Sequence, residues 1–298
     1  MPDTSPPAFA AARPVLPWRD PEEVRERENF PVALRLLPGS VRRHLLALYA
    51  YARYVDDLGD EPVAAAGPTA VRQRLAALDE VEAALVELYA GRPVHHPVVR
   101  ALAPTVTACG LPQDALRRLI EANRIDQTTT HYATYDDLTR YCVMSANPVG
   151  ELVLNVFGLA TPERVALSDR ICTALQVIEH LQDVVEDHRR GRVYLSREDM
   201  ARFAVTAEDL GRPAATPAVR ALVRFTAGRA RDELEAGAPL VSTLSGWARL
   251  AVGGYLAGGR AALVAFARAG YDPLTGPVKA GRWLVATRWP AALAGRRR

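Results

Sequence analysis

Cysteine is scarce in this chain of 298 residues. The three present, Cys109, Cys142 and Cys172, are widely spaced and form no CxxC pair. An odd number without close pairs excludes a disulfide framework and gives no zinc-ligand spacing, which fits a reducing compartment. No run approaches the roughly 18 uninterrupted apolar residues of a membrane span, and the N-terminus, MPDTSPPAFAAARPVLPW, has no basic segment ahead of an apolar one. The expected location is therefore the cytoplasm. Sustained apolar/polar alternation is missing, so no β-strand is signalled. Gly253, Gly254, Gly258 and Gly259 do not make a dinucleotide fingerprint, since the spacing is wrong and no strand precedes them. Close helix packing is the better use for them. Acidic residues are absent after Asp272, whereas Lys279, Arg282, Arg288, Arg296, Arg297 and Arg298 follow it.

Hydrophobic residues make up 49% of the chain and charged residues 24%, which places it among globular proteins rather than disordered or fibrous ones. Residues 1–21 hold six of the 22 prolines and no apolar period, and read as an extended leader. Residues 22–275 read as one all-α domain, and 276–298 as a basic C-terminal tail. Apolar residues recur at three and four in VRRHLLALYAYARYVDDL, VRQRLAALDEVEAALVELYA, RVALSDRICTALQVIEHLQDVVEDH and GWARLAVGGYLAGGRAALVAFARAG. Asp20-Pro21, Thr161-Pro162 and Thr216-Pro217 each set an N-cap before a proline suited to the first helical position. Pro148 falls inside the helical stretch 135–158 and must break or kink it, because it lacks an N–H and clashes with the preceding turn.

Two acidic constellations carry the chemistry. In DDLGD, Asp56 and Asp60 lie four apart, about 40° from one another around a helix. They continue the face of Ala52, Tyr49 and Leu45, which points inward. An ionised pair directed into a protein needs compensating cations; the alternative is that the helix ends at Gly59 and leaves both acids solvated. In QVIEHLQDVVEDH, Glu179, Asp183 and Asp187 follow at intervals of four within an arc of about 80°, with Glu186 beside them. Val177, Ile178, Leu181, Val184 and Val185 form the other face, so an ordinary amphipathic helix with an acidic surface is the competing reading. Like charges stacked this way repel. A hard cation shared between carboxylates and substrate phosphates would relieve both stripes, as Mg²⁺ does. The Glu-x-x-His spacing of di-iron bundles is missing. Arg189, Arg190 and Arg192 follow in HRRGRVYL, where they either complement a helix C-terminus or grip phosphate. For Arg192, beside Tyr194, the phosphate role fits better.

YARYVDDLGDE followed by LQVIEHLQDVVEDHRRGRVYL resembles the paired aspartate motifs of the squalene and phytoene synthases, head-to-head prenyl synthases with the all-α isoprenoid synthase fold around a central cavity. The likeness runs from Glu28 to near Trp283. ENFPVALRLLP and YATYDDLTRYCVMSANPVGELVLNVFG are most similar to the bacterial hydroxysqualene synthase branch. The resemblance implies that Asp56, Asp60, Asp183 and Asp187 bind Mg²⁺ and, through it, the diphosphate of a prenyl substrate. It further implies that Asn29, Tyr49, Arg53, Gln176, Arg192, Tyr194 and Tyr271 contact diphosphate or line the adjoining pocket. Three departures stand out. Glu179 replaces the usual Asn and becomes a further metal-ligand candidate, Gln182 replaces a frequently basic residue, and SANPVG replaces VAGxVG. The last puts Asn147 at the helix break, as a candidate to orient a water.

The implied reaction is Mg²⁺-dependent conversion of presqualene diphosphate to hydroxysqualene. The alternatives are head-to-head condensation to presqualene diphosphate or phytoene, and a non-catalytic helical assembly. No nucleic-acid partner is expected. The basic tail, with Trp283 and Trp289, is expected to touch an anionic membrane at the inner face.

Overall fold

The computed structural model describes residues 37–60 and 67–294. The leader, Asp20-Pro21, Asn29 and the terminal Arg296, Arg297 and Arg298 lie outside those residues. Among the described residues every regular element is a helix, and the one exception is an isolated bridge between His131 and Val193. All three cysteines are free thiols.

Four helices build the N-terminal half: α1 (Gly39–Asp60), α2 (Gly67–Tyr89), α3 (Pro97–Cys109) and α4 (Gln113–Ile125). Leu45, Leu48, Tyr51, Val55 and Leu58 of α1 interlock with Leu78, Val81 and Leu85 of α2 and Leu116 and Ile120 of α4 in one buried cluster. Next come α5 (Tyr135–Ser145) and α6 (Asn147–Val156). They are separated where Pro148 predicts a break, with Ala146 at φ −115° and the proline in the first turn of α6.

Helix α7 (Pro162–Gln182) is the centre of the molecule, packed against α5, α6, the short α8 (Val184–Arg189), α11 (Pro217–Gly237), α12 (Leu240–Thr243) and α13 (Gly246–Arg268). The short α9 (Arg197–Arg202) and α10 (Ala207–Leu210) precede α11, and α14 (Arg282–Leu293) closes the fold. The expected caps form. The Thr161 hydroxyl accepts from Arg164 N–H and that of Thr216 from Val219 N–H, each ahead of a first-turn proline.

By length and composition α13 is apolar enough to cross a membrane, but most of its apolar window is buried inside the bundle. Its glycines act as packing surfaces. A Cβ on Gly253 would lie 2.7 Å from Leu293, and one on Gly254 would lie 3.3 Å from Trp289. The basic C-terminal segment packs in part on the same surface. Residues 282–293 are helical and seated on α13, and Trp289 is partly buried there with its indole N–H donated to Leu250 O at 3.1 Å. Only Trp283 of the pair stands free, at 87% exposure. The glycine faces supply the groove that a larger side chain would fill.

Although α7 is packed against six helices, Cys172, Leu175, Gln176, Glu179, His180 and Asp183 remain reached by solvent, while Thr173, Ala174, Val177, Ile178 and Leu181 among them are buried. On α1 the same holds for Tyr49, Ala52, Arg53, Asp56 and Asp60. Helix α6 lies against both α1 and α7. Both acidic motifs therefore lie on helix faces that water reaches.

Candidate active site

The site begins at the C-terminal end of α1. Asp56 accepts a hydrogen bond from Asn123 Nδ2 of α4 at 3.1 Å, and Gln127 Nε2 donates to Gly59 O at 3.0 Å. Gly59 is needed for this approach, since a Cβ there would sit 2.2 Å from Asn123 Oδ1. Asp56 is reached by water, yet protein surrounds it closely enough that burial pushes its carboxyl up to about 7. Asn123 opposes that rise and the Asp60 charge adds to it. Arg53 is paired with Asp57 at 2.8 Å, one turn along α1.

The two acidic motifs meet through arginine. Asp60 accepts from Arg192 Nη1 at 2.6 Å and from Arg190 Nη1 at 3.2 Å, so the end of the first motif is clasped by the segment after the second. Arg190 also pairs with Glu186 at 2.8 Å. Burial opposes the Arg192 charge, but Asp60 outweighs it and holds the guanidinium protonated.

The second motif differs from the single straight stripe expected of it. The helix breaks at Asp183, whose φ of −104° and ψ of 12° separate α7 from α8. Hydrogen bonds continue across the break, from Asp183 N–H to Glu179 O at 3.0 Å and from Asp187 N–H to Asp183 O at 2.8 Å. The backbone at Asp183 therefore leaves regular helical geometry while the i→i+4 hydrogen bonding of the stripe is kept. Burial and the neighbouring Asp183 push the Asp187 carboxyl up to about 7, with Arg192 and Arg190 pulling the other way. Burial and Glu186 raise Asp183, opposed by Lys279 and Arg190.

Behind the arginines lies a polar and aromatic wall that the motifs do not signal. Asp126 accepts from Tyr141 OH at 2.6 Å and from Tyr194 OH at 3.2 Å, and Arg192 Nη2 donates to Asp126 O at 3.4 Å. Tyr194 stacks on His180 with centroids 3.8 Å apart and planes 10° from parallel. Burial pushes the His180 imidazole down to about 3, so it is neutral at physiological pH. Asn123, Asp126, Tyr141 and His180 were not among the expected site residues. Tyr141 lies within the YATYDDLTRYC stretch and His180 within the second motif, whereas Asn123 and Asp126 carry no local signal.

The remaining expected residues divide. Gln176 is in the wetted stripe of α7, 3.4 Å from His180. Tyr49 is in that of α1. Asn147 is 4% exposed, and its side-chain oxygen accepts from Thr173 Oγ1 of α7 at 3.0 Å. It therefore braces the helix break from within the bundle. Tyr271 has a positive φ of 58° and lies under Arg224, 4.9 Å from the ring centroid. It makes no hydrogen bond to the acids among the described residues.

The acids fit a hard divalent cation. Their donors are all oxygen, and their neighbours push carboxyls toward neutrality unless positive charge arrives. Among the described residues no three acids, histidines or cysteines converge as a complete ligand set. The site suits a cation that keeps waters and shares one or two carboxylates with substrate phosphates, rather than a closed protein cage.

A helical bundle whose two acidic motifs are joined by arginines has the architecture of the isoprenoid synthase class. The family model for squalene/phytoene synthase matches residues 24–285. The chain belongs to the squalene/phytoene synthase family. It is 34% identical over 211 residues to the hydroxysqualene synthase of Zymomonas mobilis, covering 70% of this chain and 68% of that one. It is 33% identical over 225 residues to the 15-cis-phytoene synthase of Synechococcus elongatus, covering 71% and 70%. Among solved structures, squalene synthase HpnC from Alicyclobacillus acidocaldarius superposes with a TM-score of 0.75 at 40% identity, over 85% of this chain and 92% of that one.

Proposed function

We propose that this chain is a Mg²⁺-dependent hydroxysqualene synthase acting on presqualene diphosphate. The observation that carries the reading is the 34% identity to the hydroxysqualene synthase of Zymomonas mobilis over 70% of the chain. In the reaction the C–O bond to diphosphate breaks and its electron pair leaves with the diphosphate. The cyclopropylcarbinyl cation so formed rearranges with cleavage of a ring C–C bond, water adds to the resulting cationic carbon, and a proton is released.

Asp56, Asp60, Glu179, Asp183 and Asp187 are the residues that would hold Mg²⁺, which supplies Lewis-acid stabilisation of the departing diphosphate. The chain's own part is electrostatic and spatial. Arg190 and Arg192 carry fixed donors for phosphate oxygens, Asp126 holds Tyr141 and Tyr194 in place, and neutral His180 offers an uncharged wall that does not repel a carbocation. A cytoplasmic enzyme handling a C30 lipid also needs access to the bilayer. The basic end of the chain, with Trp283 fully displayed, is our candidate for contact with the inner membrane face.

The 33% identity to a phytoene synthase supports a second reading, head-to-head condensation of two prenyl diphosphates. Mass spectrometry of products separates the two. The purified chain with Mg²⁺ should convert presqualene diphosphate to hydroxysqualene and leave farnesyl and geranylgeranyl diphosphate uncondensed. Presqualene diphosphate or phytoene as the product would reverse the assignment.

A further inference from the structure

The diphosphate reading uses Arg190 and Arg192, both engaged with Asp60, and Arg53, which is engaged with Asp57. Lys279, counted above with the basic end of the chain, is a further cation whose charge reaches the acids. It lies on residues 273–281, which join α13 to α14, and that connection is pinned at two places. At its start the buried Asp272 accepts from Leu274 N–H at 2.9 Å and from Thr275 N–H at 3.3 Å, and is itself gripped by Arg220 Nη2 at 2.7 Å.

Further along, Gln182 Nε2 donates to Val278 O at 2.6 Å, and the Val278 side chain is buried in the same core cluster as Leu181 and Val184. Gln182 immediately precedes Asp183, so this bond delivers the residue after Val278 to the start of the second motif. The Lys279 charge is felt at Asp183. The ammonium itself is exposed and makes no ion pair within 4 Å among the described residues. A flexible stem bearing a compact charge, fixed at its base and open at its tip, is suited to meeting an incoming anion.

We propose that Lys279 binds the substrate diphosphate at the Asp183 end of the site, complementing the arginines at the Asp60 end, and that Gln182 is the positioning residue that holds it there. The inference rests on the diphosphate reading above. It predicts that two residues 97 positions apart in the chain act as one unit, because the Gln182 amide matters to the ligand only through Lys279.

The test is calorimetric titration of the full-length protein with inorganic diphosphate at saturating Mg²⁺, comparing wild type, Lys279→Ala, Lys279→Arg, Gln182→Ala and the double variant Gln182→Ala/Lys279→Ala. Loss of one charge-assisted contact should weaken binding roughly tenfold in Lys279→Ala, and Lys279→Arg should keep most of it. Gln182→Ala should weaken binding severalfold in the wild-type background and have no effect once Lys279 is alanine. Wild-type affinity in Lys279→Ala, or the same Gln182→Ala effect in both backgrounds, overturns the proposal while leaving the diphosphate reading in place. If wild type itself fails to bind diphosphate with Mg²⁺, the diphosphate reading falls and this inference falls with it.

Discussion

Replacing Asp187 by asparagine should make the metal-free protein more stable while destroying its activity. The folded chain holds the Asp187 carboxyl at about 7 against an ordinary value of 3.8, chiefly through burial and then through the charge of Asp183. Each unit of that difference corresponds to about 1.4 kcal/mol, so the ceiling is about 4 kcal/mol. Water at the half-buried carboxylate screens part of it and leaves about 1–2 kcal/mol. The sign follows from proton linkage. The folded state binds this proton more tightly than the unfolded state, so wild type is unpenalised below about pH 4 and loses stability as pH rises towards 7. Asparagine carries no charge at any pH and escapes the loss. Denaturant unfolding in chelator-treated buffer at pH 8 should therefore show Asp187→Asn more stable than wild type by about 1–2 kcal/mol, with the gap roughly halved at pH 5.5. Equal or lower stability of the variant at pH 8 would refute the claim that these acids are held together against their own repulsion. Mg²⁺ with diphosphate should stabilise wild type much more than the variant, since only wild type has the full charge to offer.

The opposite result is expected at Asp60, where asparagine weakens the clasp from Arg190 and Arg192; turnover should fall below roughly a tenth of wild type without a stability gain, and a variant above that level argues against Asp60 as a metal ligand. Gly59→Ala should cost about 1–3 kcal/mol in denaturant unfolding, because its Cβ would press on Asn123 at 2.2 Å; an unchanged midpoint would mean α4 yields freely. Arg260 is 6% exposed and is gripped by Glu235 through two bonds of 2.7 Å. Glu235→Ala alone should cost about 3 kcal/mol, whereas Arg260→Met with Glu235→Leu should recover most of that loss. If Trp283 seats the protein on lipid, Trp283→Ala with Arg282→Gln should reduce sedimentation with anionic vesicles at low salt and leave thermal unfolding unchanged. Equal sedimentation would remove the membrane contact.

What could be read from the sequence was local chemistry. Thr161 and Thr216 each stand before a proline, and cap, first turn and φ restriction all sit within four residues, so these helix starts needed no tertiary information. Pro148 breaks its helix for the same kind of reason. The acids were legible because four-residue spacing on an apolar helix can be counted along the chain. Other features were hidden by distance. The Arg192–Asp60 pair spans 132 residues, Tyr194–Asp126 spans 68 and Gln182–Val278 spans 96. Nothing near Asp126 in sequence marks it as the carboxylate that two tyrosine hydroxyls will share.

The C-terminus makes the same point with a different force. RWLVATRWPAAL has only a weak apolar period, so its charge dominated the reading, and a basic tail was the natural expectation. Its helix is stabilised by a groove that exists only because α13 carries Gly253 and Gly254 where Trp289 and Leu293 arrive. Helix and groove each look unremarkable alone, and complementarity between distant surfaces is not visible in either. The break at Asp183 is of this kind too. The periodicity of LQDVVED reads as one continuous helix, whereas the backbone leaves helical geometry at Asp183. The end of α7 at Asp183 thus coincides with the residues where the acids and the arginine segment come together.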